Sequence, residues 1–426
     1  MTETVMKRPK GTWRRRMLVV AIATILLLLL VRAVVDTWAS SRIKVVVTRL
    51  EQQNGSLDLR TLSVPPVPEG ENRARAIRAA AALINYAPLT SWSEYQNSFS
   101  AFMKQQPPAP MPADLRAFVE TNRATLRVAA DARSRPQSNW EADYASESNV
   151  PRLLEVRTLS NTIYLAALRD LEVARPDDAA QSIASGLAMA ASLRQEPWLI
   201  VQLIRMAVSV QHFEAVQRLL MHSEPSAASL GELAKWLGEN RVPDPIHLGI
   251  VSELKLIHSK LPELDRAEGL AEMMITGAQP SSFGGRPFNW LGRPWIRLAW
   301  IECLEQMGQL LEVQTGPRPR PAPRPNRHPV FCPGLERAMD SGDHFNSGLG
   351  LTELAVALRR FRIERGQYPD ALSSLVPTYM ASMPIDALTG KAPVYSRQGA
   401  GFRLQAEKGK NAFGSTAAVL DWKVPK

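Results

Sequence analysis

Apolar residues form one long run near the start of the chain. Residues 17–31 carry no charge, and after Arg32 the run resumes over residues 33–35. At 1.5 Å per residue this stretch is about 28 Å long as a helix, which matches the hydrocarbon core of a bilayer. Because a membrane span must satisfy its backbone internally, we predict a transmembrane helix over residues 17–35. A cleaved signal peptide is the first alternative, although its apolar core is usually shorter, and a buried core helix is the second.

The charges beside this run predict its orientation. Residues 1–16 hold six bases and one acid. The more basic flank of a span stays in the cytoplasm. We therefore predict a cytoplasmic tail over residues 1–16, a single-pass anchor in the inner (cytoplasmic) membrane, and an extracytoplasmic body.

Helical periodicity dominates the chain from residue 71 to residue 315. Residues 36–70 are predicted to be a linker, in which residues 43–50 form either a short strand or a continuation of the first helix. Short connections between helices imply antiparallel neighbours. We predict a mainly α fold, an irregular antiparallel helical bundle or short repeat-like array, with helices near residues 72–84, 91–106, 113–130, 150–174, 179–193, 197–220, 226–239, 248–261, 262–276 and 294–313.

A different pattern begins after residue 315. Residues 316–333 alternate proline and arginine, which predicts a semi-rigid linker near polyproline II. Residues 334–426 are predicted to form a small α+β module with an antiparallel sheet. An amphipathic helix is expected at residues 346–365, stopped by Gly366, and strands near residues 394–395, 402–404 and 419–422.

The order of motifs in this module resembles the C-terminal region of type II secretion major pseudopilins. The motifs are Gly366-x-Tyr368-Pro369, then Leu375-Val-Pro-x-Tyr379, then Pro384-x-Asp386. The resemblance covers residues 351–422 and implies a helix followed by a small antiparallel sheet. The whole chain also resembles membrane-anchored helical proteins of bacteria that have no characterised function.

The chain departs from the pseudopilin pattern in two places. Residues 17–35 contain no acid, and about 315 residues separate this helix from the matching module. These differences predict a plain tether rather than a subunit that is processed and polymerised like a pilin. The family binds calcium in an acidic loop, whereas the matching residues 407–411 carry Lys408 and Lys410. Since calcium requires several oxygen ligands, we predict no metal site and no cofactor.

The net charge of +10 is concentrated outside the body of the protein. The tail and the linker over residues 316–333 supply nine of these ten charges. A nucleic-acid-binding body needs a basic face on the fold, so we predict no nucleic-acid partner. The sequence predicts no oligomeric state.

Few residue patterns suggest catalysis. Ser252-x-x-Lys255 has a nucleophile–base spacing but lacks the accompanying Lys-Thr-Gly, and we interpret it as a chance match. We therefore predict no catalytic residues. Cys303 and Cys332 either form a disulfide, which an extracytoplasmic body permits, or remain free thiols.

Tryptophans and arginines interleave over residues 281–300. They suggest an interaction patch of Trp290, Arg293, Trp295 and Arg297, which would bind a partner or lipid. The interpretation that we favour from sequence is that these tryptophans fill the bundle.

These features together suggest a function. We predict a non-enzymatic, membrane-anchored scaffold or interaction protein that binds envelope or secretion proteins. The alternative is an envelope enzyme or enzyme accessory factor whose site is not visible in the sequence.

Overall fold

The computed structural model describes residues 10–87, 89–104, 110–142, 153–242, 244, 246–264, 285–315, 335–406 and 421–424. It contains two compact units. Unit 1 comprises Met1–Leu57, Ile257–Gly308 and Pro325–Pro333, and unit 2 comprises Asp58–Leu256, Gln309–Arg324 and Gly334–Lys426. The predicted helical domain over residues 71–315 is thus divided, since residues 257–308 group with the first helix.

The first helix of unit 1 is α1 (Lys10–Asn54). It is long and apolar enough to cross a membrane. It continues well past the predicted end of the span at residue 35, so residues 43–50 are helix and not strand. Its first part, residues 13–31, is exposed, whereas Ala39, Ile43, Val46 and Leu50 are buried.

The second helix of unit 1 is α11 (Gly285–Thr315), up to Gly308. It begins nine residues before the predicted position 294, and it has Pro294 inside it. Ile296, Trp300 and Cys303 are buried on this helix. The segment between the helices predicted at residues 262–276 and 294–313 is therefore helical from residue 285. The predicted helix over residues 262–276 lies mostly outside the described residues.

Unit 2 is helical, as predicted, and its first helices agree with the sequence pattern in most places. The predicted helix over residues 113–130 is instead two helices, because Asn122 interrupts it. Its amide donates to the carbonyl of Asn85 at 2.7 Å, and its side-chain oxygen accepts from the Asn85 N–H at 2.9 Å. The helices are α2 (Arg73–Ala82), α3 (Trp92–Met103), α4 (Ala113–Thr121), α5 (Arg123–Asp131) and α6 (Leu153–Glu172).

The centre of unit 2 is formed by α7 (Pro176–Ser192), α8 (Leu199–His222), α9 (Ala227–Asn240) and α12 (Leu335–Arg365). Helix α8 is also long and apolar enough to cross a membrane, but 61% of its most apolar window is buried. It is therefore a core helix of this unit. Helix α10 (His247–Leu264) belongs to unit 2 up to Leu256.

The predicted antiparallel sheet is present at the C-terminus. Its strands are β1 (Val394–Gln398), β2 (Gly401–Gln405) and β3 (Asp421–Val424), in the order β1-β2-β3. Tyr395 pairs with Leu404, and Leu404 pairs with Trp422. Phe402 and Leu404 are fully buried, so β2 presents its apolar face to the unit. The predicted linker over residues 316–333 and the lysine-bearing residues 407–411 lie outside the described part of the chain.

Candidate functional site

One concavity of unit 2 lies beside α12. It is a cleft of about 570 Å³ that joins a smaller one of about 290 Å³. Arg241 and Glu353 line both. The other residues that line the large cleft are Val242, Asn346, Leu349, Gly350, Pro384, Ile385, Ala387 and Gly390. The end of α9, the middle of α12 and the segment after residue 383 thus form one groove.

An ion pair between Arg241 and Glu353 crosses this groove. The guanidinium donates to both carboxylate oxygens of Glu353, and the longer bond, from Nε, is 3.4 Å. The Glu353 side chain is 11% exposed and that of Arg241 is 47% exposed. Burial raises the pKa of Glu353, and the charge of Arg241 opposes this rise. The groove therefore contains a desolvated carboxylate whose charge depends on one cation.

Sequence analysis missed this pair, since 112 residues separate its members. One signal was present, because Glu353 interrupts the apolar positions Leu351 and Leu354 in the middle of an amphipathic helix. Within the described residues, no group of three or more His, Cys, Asp or Glu side chains is placed to hold a metal ion.

The two members of this pair are expected to differ in how much their removal lowers the free energy of unfolding. Arg241→Met leaves a buried carboxylate without its cation, so we expect a loss of about 1–3 kcal/mol of unfolding free energy at neutral pH. Glu353→Gln removes the charge that burial disfavours and leaves Arg241 partly hydrated, so we expect little change. Urea unfolding of the solubilised full chain measures both. Equal losses would contradict the asymmetry.

The structure separates the residues of the predicted interaction patch. Arg297 is largely buried and forms an ion pair with Asp36 at 3.0 Å. Trp295 is 68% exposed, which differs from the favoured prediction that these tryptophans fill the core. Trp300, nearby on α11, is 2% exposed and does fill it. Arg293 is partly buried, and the side chain of Trp290 lies outside the described set.

One of the two cysteines lies within the described residues. Cys303 is buried on α11 and is disulfide-bonded. Cys332 is the other cysteine of the chain and lies outside the described residues. The Cys303–Cys332 bond therefore stays a prediction.

Ser252 and Lys255 are both structural. The Ser252 hydroxyl donates to the carbonyls of Pro197 and Gly249 at 2.5 and 2.8 Å. The Lys255 ammonium donates to the hydroxyl of Thr61 at 2.6 Å. A serine that donates to a carbonyl is not activated as a nucleophile, so the spacing has a packing explanation.

The motif residues of the C-terminal module connect α12 to its surroundings. Gly366, at φ +77°, ends α12, and its N–H donates to the carbonyl of Arg362 at 2.8 Å. The buried Tyr368 hydroxyl accepts from Arg359 at 2.9 Å, and Asp386 accepts from Ser347 and Thr389. These residues have core and turn roles, and Gly366 stops the helix as the sequence predicted.

Arg359 extends this network to the end of α8. Its guanidinium donates to the carbonyls of Leu220 and Ser223 at 3.1 and 2.9 Å. It therefore satisfies carbonyls that the end of a helix leaves free.

Comparison of the chain with protein-family models, with curated proteins and with solved structures gave no match. The pseudopilin resemblance accordingly stays a prediction.

Proposed function

We propose that this chain is a single-pass, membrane-anchored scaffold that binds other proteins outside the cytoplasm. One observation carries the proposal. Helix α1 exposes every residue from 13 to 31 and then, without a break, buries one face within its own fold. Apolar residues exposed around a whole helix are stable only in lipid or against another apolar surface. The anchor is thus continuous with the folded body.

The charge distribution supports the orientation of the proposed anchor. Arg14, Arg15 and Arg16 lie directly before the apolar residues, on the side that we assign to the cytoplasm. The body would then lie outside the inner membrane, where a disulfide at Cys303 is chemically stable. The motifs over residues 351–422 favour a role in a secretion or envelope assembly.

The anchor is tested in isolated membranes from cells that express the full chain with a C-terminal epitope tag. We expect the protein to resist alkaline carbonate extraction. We also expect protease added to intact spheroplasts to remove the tag. Spheroplasts lysed before digestion are the control for tag cleavage. A tag that is cut only after lysis would contradict the orientation, and release by carbonate would contradict the anchor.

The groove at Arg241 and Glu353 is the proposed docking site for the protein partner. Ile385 lines it and is 65% exposed, so its apolar side chain is available to a partner that docks in the groove. In-cell crosslinking followed by mass spectrometry is expected to recover an envelope partner with the wild type. We expect Ile385→Arg to lose this partner. The matched control is Ile363→Arg, which alters a 48% exposed isoleucine of α12 that does not line the groove. Equal recovery by both variants would contradict docking here.

An envelope enzyme or accessory factor is the second candidate function. Glu353 favours it, because a carboxyl whose pKa is raised by burial within a cleft is typical of an acid–base group. Glu353→Gln distinguishes the two functions. A catalytic role predicts loss of the cellular function with the partner still recovered, whereas a scaffold retains both.

A further inference from the structure

Helices α1 and α11 run in the same direction within unit 1. Arg297 of α11 donates to the carboxylate of Asp36 at 3.0 Å and also reaches the hydroxyl of Ser40. Further along both helices, Arg42 pairs with Glu305 at 2.6 Å. Still further along, a Cβ added at Gly308 would lie 2.8 Å from a methyl group of Leu50. Contacts that advance together on both helices define a parallel pair.

Buried residues of the two helices include two sets with the same spacing. On α1 the set is Ala39, Ile43, Val46 and Leu50. On α11 it is Ile296, Trp300, Cys303 and Met307, and the broader buried face of this helix also contains Ala299, Ile301 and Leu304. Both sets advance by four, three and four residues, the heptad interval of a coiled-coil seam. The match between the intervals supports the register that the ion pairs define.

Arg32 is the first residue of α1, after the exposed residues 13–31, whose side chain is partly buried. Residues 13–31 are exposed, whereas Arg32, Val35 and Asp36 are partly buried. Arg32 lies inside the apolar run that we assign to the membrane. The parallel register places Arg297 beside residues 36–40, so Trp295 lies near the level of residues 34–38. The α11 backbone continues back to Gly285, toward residues 17–31. The ten-residue step from Gly285 to Trp295 corresponds to about 15 Å of helix.

Two exposed tryptophans, one on α1 and one on α11, lie near the level of residues 34–38 of α1. Trp295 is 68% exposed and Trp38 is 55% exposed. A third, Trp13, is 67% exposed and precedes Trp38 on α1 by about 37 Å of helix. A bilayer with its headgroups is about 40–45 Å thick, and tryptophan concentrates at both of its interfaces. Trp13 and Trp38 thus have the separation of two interfacial belts.

We propose that α11 meets the outer headgroup layer of the membrane that α1 spans at Trp295, and that Trp295 and Trp38 form an aromatic anchor there. The proposal rests on the proposed function, because it requires α1 to be embedded. Lipid is the occupant that the observations favour, since Trp295 lies near the level of the exposed apolar side chains of Val34 and Trp38 on α1. The indole rings have an apolar body and a polar N–H, which suit a surface between hydrocarbon and water. The folded body would then contact the membrane through a second element.

Depth-dependent quenching in reconstituted vesicles tests this placement. Single cysteines are introduced into the full chain by Leu28→Cys, Trp38→Cys, Val45→Cys and Trp295→Cys, at side chains that are 62%, 55%, 60% and 68% exposed. Each is labelled with a nitrobenzoxadiazole fluorophore in vesicles of pure lipid. The chain without an added cysteine gives the labelling background. Quenchers are aqueous iodide and lipids that carry a nitroxide near the headgroup or deep in the acyl chain.

We expect fluorophores at residues 295 and 38 to lose emission to the headgroup-level nitroxide and to resist iodide. The fluorophore at residue 45 should lose emission to iodide, and that at residue 28 to the deep nitroxide. Two results would overturn the second membrane contact while the anchor stands. In one, iodide quenches the fluorophore at residue 295 as it does that at residue 45. In the other, the fluorophore at residue 295 resists both kinds of quencher because protein covers it. If iodide quenches residue 28, the anchor itself fails, and the proposed function fails with it.

Discussion

Gly186→Ala is expected to destabilise unit 2 by about 1–3 kcal/mol, although it places the best helix former within a helix. Gly186 lies in α7, where α8 crosses closely. A Cβ at this position would lie 1.8 Å from Nε2 of His212. The imidazole is fully buried, and its Nδ1 is 2.8 Å from the carbonyl of Val208. Because the ring is held in a packed core, the helices must separate to admit the methyl group.

Gly231→Ala is the matched control for this substitution. Gly231 lies within α9, and no atom of the described part of the chain beyond this stretch of helix lies within 4 Å of a Cβ placed there. The same chemical change should therefore stabilise the chain by about 0.5–1 kcal/mol through helix propensity alone. Urea unfolding monitored by circular dichroism measures both variants. A stabilising Gly186→Ala would contradict the close crossing.

A double variant identifies the cause of the loss. In a His212→Ala background, the ring that the new methyl group meets is absent. We expect Gly186→Ala to cost much less there than in the wild type, and the difference is the coupling between the two positions. An unchanged cost would show that the loss arises elsewhere, in the backbone of α7.

Acid is expected to destabilise the wild type more than it destabilises His212→Leu. Burial lowers the pKa of His212 from 6.5 to about 4, because the charged ring would lose its hydration. Among the residues that the structure describes, its Nε2 has no hydrogen-bond partner to offset that loss. Between these two pH values, the unfolded chain binds the proton that the folded chain excludes. The stability contribution of the neutral ring is therefore complete above about pH 6.5 and is lost as the pH falls toward 4.

The expected size of this effect is about 3 kcal/mol at the acid end, since one pKa unit corresponds to about 1.4 kcal/mol. The measurement is the difference in unfolding free energy between wild type and His212→Leu as a function of pH. Acidic side chains titrate in both proteins, so their contributions largely cancel in the difference. Parallel pH profiles for the two proteins would contradict the assignment to His212.

Several elements were predictable because their causes are local. The apolar run of α1 is visible in any hydropathy profile, and the charges before it are adjacent in sequence. Helix α12 ends at Arg365 because Gly366 adopts a positive φ that other residues disfavour. The alternation around Phe402 and Leu404 indicates a strand with one buried face. Such features depend on residues a few positions apart.

Other boundaries were decided by distant partners. The helix predicted over residues 113–130 is divided where Asn122 bonds the backbone of Asn85, 37 residues away. Helix α1 continues past residue 35 where α11 covers it. In each case tertiary contacts outweigh local propensity.

The sequence by itself determined that this protein has one markedly apolar N-terminal helix, a mainly helical body and a small terminal sheet. Periodicity and turn chemistry suffice for those conclusions. Only the tertiary structure decided that Arg241 faces Glu353, that α1 and α11 form a parallel pair, and that Trp295 is exposed whereas Trp300 is buried. The physical reason is that an ion pair, a helix register and the exposure of one face depend on residues more than a hundred positions apart in sequence, which periodicity does not relate.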